Sequence, residues 1–206
     1  MQGAVQQRIS EIKNSIARNQ AQLKQYSWIE TIEISLKGDV RKREQNACRY
    51  GPDGKVQKMP IGEPAPPPTG GRLKRRIVAN KTEELKDYMG RVSGLLRRYI
   101  PPDPQSMQAS FKAGKVTLEP GPGAVLFSDY VKTGDKVTLT FDVPMKRLLE
   151  FSVTTYLDEP KEAVTINARF STLPDGTNFM EESVLNASAK QIRIDTSNFQ
   201  YQRVAQ

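Results

Sequence analysis

Val137-Thr138-Leu139-Thr140-Phe141-Asp142-Val143 alternates apolar and polar side chains without a break. A period of two over seven residues marks a strand with one oily and one wetted face. The pattern continues downstream. After the corner Val143-Pro144-Met145-Lys146, Leu149, Phe151, Val153 and Leu157 alternate with Glu150, Ser152, Thr154 and Tyr156. Val164, Ile166, Ala168 and Phe170 then alternate with Thr165, Asn167 and Arg169, and Leu173-Pro174-Asp175-Gly176-Thr177 places a Gly where a tight reversal needs positive φ. Residues 116–119, 124–131, 179–185, 190–195 and 198–204 are further short segments bounded by turn residues. The stretch 116–204 therefore reads as an antiparallel meander.

A meander of this kind leaves one apolar face to be covered, and the upstream residues supply the cover. Val5, Ile9, Ile12, Ile16 and Leu23 fall near helical spacing and predict an amphipathic helix over residues 1–25. The period then changes to two. Trp28, Ile32, Ile34 and Leu36 alternate with Thr31, Glu33, Ser35 and Lys37 as far as the hairpin signal Gly38-Asp39. Residues 40–50 return as a charged strand, and Gly51-Pro52-Asp53-Gly54 turns the chain into a short strand over 56–59.

Pro64, Pro66, Pro67 and Pro68 exclude helix and central strand. With the basic run Arg72-Leu73-Lys74-Arg75-Arg76 they predict an exposed proline-rich and basic loop over 63–81. Thr82-Glu83-Glu84-Leu85 reads as a helix start, because Thr82 can cap the first turn and the glutamates suit its positive end. Leu85, Met89, Val92, Leu95, Leu96 and Tyr99 form the apolar stripe, and Pro101-Pro102 stops it. A shorter helix over 104–112, closed by Gly114, completes a helical insert over 82–112. The expected fold is a single α+β domain over residues 1–206, with about ten antiparallel strands covered by an N-terminal helix and one or two more.

The 31 Lys and Arg against 23 Asp and Glu give a formal charge of +8. The excess is amino-terminal: 22 cations face 11 anions through Lys115, and 9 face 12 beyond it. Such asymmetry suits phosphate, anionic lipid or an acidic partner, although surplus Lys and Arg are ordinarily solubilising charge. Arg72, Lys74, Arg75 and Arg76 are the candidate contact to an anionic membrane surface. Nucleic acid is disfavoured, since no aromatic residue is interleaved with the run to stack bases.

The chain has no His and one Cys, Cys48. The usual zinc and haem ligand sets and the catalytic triads are therefore unsupported, and Cys48 is expected to be a small strand residue. No Walker loop, dinucleotide fingerprint or nucleophile elbow is present. The sequence points to no catalytic residue, no metal site and no cofactor, and it leaves the oligomeric state open.

Lys24-Gln25-Tyr26-Ser27-Trp28-Ile29-Glu30-Thr31 leading into strand, the hairpin Tyr50-Gly51-Pro52-Asp53-Gly54-Lys55, and Leu173-Pro174-Asp175-Gly176-Thr177-Asn178-Phe179 between late strands stand in an element order that resembles the extracytoplasmic lipoprotein-carrier (LolA-like) half-barrels. It is also similar to uncharacterised secreted bacterial proteins of that pattern. The resemblance implies a strongly curved sheet whose concave side is filled by helices, and a periplasmic or secreted protein whose leader is absent from this sequence. It also implies a non-enzymatic binding or carrier function, with an apolar cavity for a lipid, an acyl chain or a lipoprotein. The candidate lining is Phe141, Leu149, Phe151, Val153, Ile166 and Phe170 from the sheet with Leu85, Met89 and Leu96 from the helix. The other reading is a structural or regulatory interaction module of the same fold, in which the helices fill the core permanently. Residue types do not separate the two, because a packed core and a greasy cavity are lined alike.

Overall fold

Helix gives way to strand where the apolar period changes from 3.6 to 2. The computed structural model describes residues 2–62, 72–119 and 123–204. Helix α1 (Gln2–Leu23) leads into β1 (Tyr26–Leu36), β2 (Asp39–Tyr50) and β3 (Val56–Pro60). Helices α2 (Arg72–Leu96) and α3 (Pro104–Lys112) follow. The meander is β4 (Val116–Leu118), β5 (Ala124–Ser128), β6 (Lys136–Asp142), β7 (Arg147–Tyr156), β8 (Ala163–Thr172), β9 (Asn178–Ala187) and β10 (Ile192–Arg203). All ten strands join one antiparallel sheet in the order β3-β2-β1-β10-β9-β8-β7-β6-β5-β4. The sheet does not close, so the fold is α+β with three helices.

Topology gives the insert its task. It runs from the β3 edge to the β4 edge, a flat width of roughly 43 Å at the usual strand spacing. The 25 residues of α2 make a helix ~37 Å long. A helix of that length covers most of such a crossing.

The expected bounds of α3 hold. Asp103 caps it by accepting from the Ser106 N–H at 2.8 Å, and Gly114 has φ +70°. Four expectations need correction. Helix α2 starts at Arg72 instead of Thr82, because residues 72–81 hold neither Gly nor Pro and are rich in helix formers. The basic residues Arg72, Lys74, Arg75 and Arg76 thus open a helix and are not loop; the proline-rich residues 63–71 lie outside the described residues. The segments 190–195 and 198–204 are one strand, β10, because Thr196 and Ser197 pair with Ile32 and Thr31 without a break; a bulge at Gln200, φ +54°, lies further along it. Strand β5 stops at Ser128 because Asp129 turns the chain at φ +48°. The buried stripe of α2 is Tyr88, Val92, Leu95 and, just past it, Tyr99, which leaves Leu85, Met89 and Leu96 on its flanks.

This stripe shares one core cluster with Val125, Phe127, Val137, Leu139, Phe141, Phe151 and Val153 of the sheet and Met107 of α3. A polar hub lies beneath it. Asp135, 1% exposed, accepts the Tyr99 hydroxyl at 2.6 Å and the backbone N–H groups of Tyr130, Val131 and Lys132 at 2.5, 3.0 and 2.9 Å. The Thr155 hydroxyl lies 2.8 Å from the Tyr99 oxygen and is left to donate to it. Burial, followed by the bond to Asp135, pushes the Tyr99 hydroxyl well above the usual phenol range. The end of α2, the β5–β6 loop and β7 are thereby tied at one carboxylate.

Helix α1 is fastened by its polar side chains. Asn19 accepts the Asn178 N–H at 2.6 Å and donates back to the Asn178 carbonyl, and Ser15 donates to the Lys146 carbonyl at 2.5 Å. In the β8–β9 turn, Asp175 accepts the Tyr26 hydroxyl at 2.6 Å, the Arg203 guanidinium at 2.7 Å and the Thr177 N–H at 3.0 Å. These bonds hold its carboxyl well below the usual range.

Tyr99→Phe is expected to cost about 1–2 kcal/mol in urea denaturation, and Asp135→Ala ~3 kcal/mol or more, because the second change strands three buried amides and a hydroxyl. A cost below ~0.5 kcal/mol for Asp135→Ala contradicts the hub. Asp175 has a depressed folded pKa, so its contribution is present above pH ~4 and is lost as pH falls through the folded value. Asp175→Asn should lower the melting temperature at pH 7 and flatten its fall on acidification.

Candidate ligand-binding site

The sheet gathers most of the expected lining into one cluster. Phe141, Phe151 and Val153 are 0, 4 and 1% exposed in the core cluster that also holds Val92 and Leu95, and Ile166, Phe170, Leu85, Met89 and Leu96 are partly buried against that cluster. Leu149 does not join. Between Thr140 and Phe141 the β6–β7 register shifts, Phe141 pairs with Leu148, and Leu148 is the residue buried in the core. Two adjacent leucines carry no parity, so the bulge alone decides which one turns inward.

Burial fades along one cross-strand row of this face. Register aligns Phe127, Val137, Val153, Ile166, Leu185, Ile194 and Ile34 in one cross-strand row. The first three are buried. Ile166, Leu185, Ile194 and Ile34 are only partly buried, as is Ile32 beside them on β1. An apolar strip thus crosses β8, β9, β10 and β1 with less cover than the row beside it, where Val164, Ala187 and Ile192 are buried. Leu36, pairing with Ile192, carries the strip to the end of β1.

The other end of the strip is polar. Glu30 follows Ile32 on the same face of β1, is 7% exposed, and accepts Lys58 Nζ at 2.6 and 2.8 Å and Asn46 Nδ2 at 3.4 Å. Trp28 donates its indole N–H to Asn198 Oδ1 at 3.0 Å and stacks on Tyr201 at 5.5 Å between centroids, with Tyr50 at 5.6 Å on another side. Burial raises the Tyr50 and Tyr201 hydroxyls. Cys48, 1% exposed, lies opposite Trp28; burial first and Glu30 second push its thiol up, so it is a poor nucleophile. The strip therefore runs from an aromatic and ion-paired end at Trp28 and Glu30 to an open end at Leu36.

No protein-family model matches this chain, and no curated protein matches it in sequence. Among solved structures it is similar to the crystal structure of a DUF1329 family protein from Desulfovibrio piger, at 9% identity and a TM-score of 0.42, over 94% of this chain and 92% of that one.

On the opposite face, a groove of about 340 Å³ lies over β6–β9 among Thr138, Ser152, Asn167 and Arg169. Arg169 bonds Glu181 at 3.3 Å and Glu182 at 3.0 Å there. Most of its lining side chains are polar or charged, with Val184 among them.

Glu30, Asn46, Lys58 and Asn198 were not singled out by the sequence reading. A signal was available in part, since Glu30 has the parity of Trp28 and Ile32 and so puts a carboxylate on an inward face. Lys58→Met should destabilise more than Glu30→Gln, because it leaves a buried carboxylate without its cation. About 1–2 kcal/mol is expected after allowing for the 44% exposure of the Lys58 side chain. The double variant should recover much of the loss in a double-mutant cycle, and strict additivity would refute the coupling.

Proposed function

We propose that the protein is a non-enzymatic extracytoplasmic binding or carrier protein, a strongly curved half-barrel that holds an acyl chain or similar lipid against its helix-covered face. The single observation supporting this is the fade in burial along one cross-strand row, from Val137 and Val153 to Ile166, Leu185, Ile194 and Ile34. A purely structural sheet hides its apolar row evenly, whereas a chain-binding sheet leaves part of it short of cover. The site is accordingly moved from Phe141, Phe151 and Val153, where Val92 and Leu95 already sit, to the strip beside them.

The interaction-module reading is favoured by that same filled region: Tyr99 is held to Asp135, so the C-terminal part of α2 cannot lift without baring a buried carboxylate. The carrier reading therefore assigns any opening to elements nearer β1. The basic residues Arg72, Lys74, Arg75 and Arg76 support approach to an anionic membrane, at about 1 kcal/mol per contact at close range, screened by salt.

The test is titration with a fluorescent long-chain fatty acid. Leu185→Gln with Ile194→Gln should weaken uptake roughly tenfold or more, the loss expected for a few apolar contacts. Val92→Ala should lower stability and leave uptake nearly unchanged. No uptake by the parent protein, with no lipid found by native mass spectrometry, would replace the carrier by the interaction module. Changing the four basic residues to Gln should abolish the salt-sensitive part of binding to anionic vesicles.

A further inference from the structure

At the open end of the strip the β1–β2 turn, the β9–β10 turn and α2 enclose a groove of about 580 Å³. Its apolar lining is Leu36 and Leu85; its charged lining is Lys37, Arg41 and Lys190 against Glu84. Leu36 follows Ile34 on the same face, so the groove opens directly onto the strip.

Two backbone features fix its rim. The two-residue turn Lys37-Gly38 has φ +55° and +86°, a conformation that Asn or Gly adopts at lower cost than Lys. Gln191 is left-handed too, at φ +50°, and its carbonyl accepts the Lys37 N–H at 2.8 Å. The two turns lock each other, and a lysine occupies the position where a small turn residue would be less strained. Arg41 is bonded to Asp39 at 2.8 Å and Lys190 to Glu84, while Lys37 forms no ion pair among the described residues.

We propose that this groove is a head-group site selecting single-chain amphiphiles with an anionic head, a carboxylate or a phosphate, whose chain lies on the Ile34–Ile194–Leu185 strip. The inference rests on the carrier reading. Lys37 meets the head directly, Lys190 is shared between it and Glu84, and Arg41 adds long-range attraction. At the opposite end of the strip the inward charges are the Glu30–Lys58 pair, which cancel, so the ligand enters with its head towards Lys37.

The experiment titrates the full chain, below micellar concentrations, with dodecanoate, dodecyl phosphate, dodecanol and inorganic phosphate by calorimetry. The two anionic amphiphiles are expected to bind at least tenfold more tightly than dodecanol, with the advantage shrinking in high salt. Lys37→Gln with Lys190→Gln should erase the advantage and leave dodecanol binding and the melting temperature unchanged. A preference between carboxylate and phosphate identifies the source of the head. Equal binding of dodecanol and the anions, or an advantage that survives the double variant, overturns the head-group site and leaves the carrier reading standing. Binding of inorganic phosphate as tight as dodecyl phosphate overturns it in favour of a plain anion site. If no chain binds at all, the carrier reading fails and this inference with it.

Discussion

A carboxylate buried without a cation must be surrounded by donors, and Asp135 has four of them. Three come from the backbone of its own loop, which fixes that loop's shape whether or not the helices are in place. The fourth, the Tyr99 hydroxyl, comes from beyond the end of α2, and it makes the position of that helix a condition for satisfying the loop. Hydrophobic packing alone would let α2 slide or rotate along an oily sheet at small cost. The hydroxyl at 2.6 Å does not allow it. This contact sets the C-terminal end of α2 beside the β5–β6 loop, while Arg91–Asp158 and Lys190–Glu84 carry its earlier turns past the β7–β8 and β9–β10 turns.

The division of the sheet face into a packed part and a thinly covered row organises the chemistry. Over β5–β7 the inward residues are enclosed on every side, and a ligand has no volume to occupy. Towards β1 the same alternation persists, cover thins along the row from Ile166 to Ile34, and the face ends in a polar pair, Glu30 and Lys58, set among aromatic rings. Apolar contact, ion pairing and an accessible groove thus lie in sequence along a single strand. β1 carries Trp28 and Glu30 at one end, Ile32 and Ile34 in the middle, and Leu36 and Lys37 at the other.

Alternation over residues 137–170 was enough to find the meander, because period-two patterning reports the environment of each strand one face at a time. Turns with Gly at positive φ, such as Gly38 and Gly176, marked the hairpins for the same local reason. What was illegible depends on pairing between distant residues. Leu148 and Leu149 are equivalent until the register shift opposite Phe141 chooses between them. Val92, Leu95 and Tyr99 of the α2 stripe are legible and buried, whereas Leu85, Met89 and Leu96 are only partly buried and Tyr88 takes an inward place that its polar hydroxyl does not advertise. Asp135 reads as a turn residue after Gly134, and nothing local tells that its carboxylate points into the core. Glu30 was the readable exception among the site residues. Lys58, Asn46 and Asn198 become its neighbours only when β2, β3 and β10 are laid beside β1.

The pairing of β1 with β10 couples residues 156 to 177 positions apart, 168 for Glu30 with Asn198. A ribosome delivers β1 long before β10 exists, so the nascent chain must carry an unpaired edge through most of its synthesis. Until the last strand arrives, the β1–β3 hairpins and the β4–β9 meander are two separate ribbons, each with an open flank exposed to other chains. Joining them is the most non-local event in the fold, and loop-closure entropy makes it slow relative to the hairpins on either side. The seam on which the apolar strip lies is therefore the last part of the sheet to become whole.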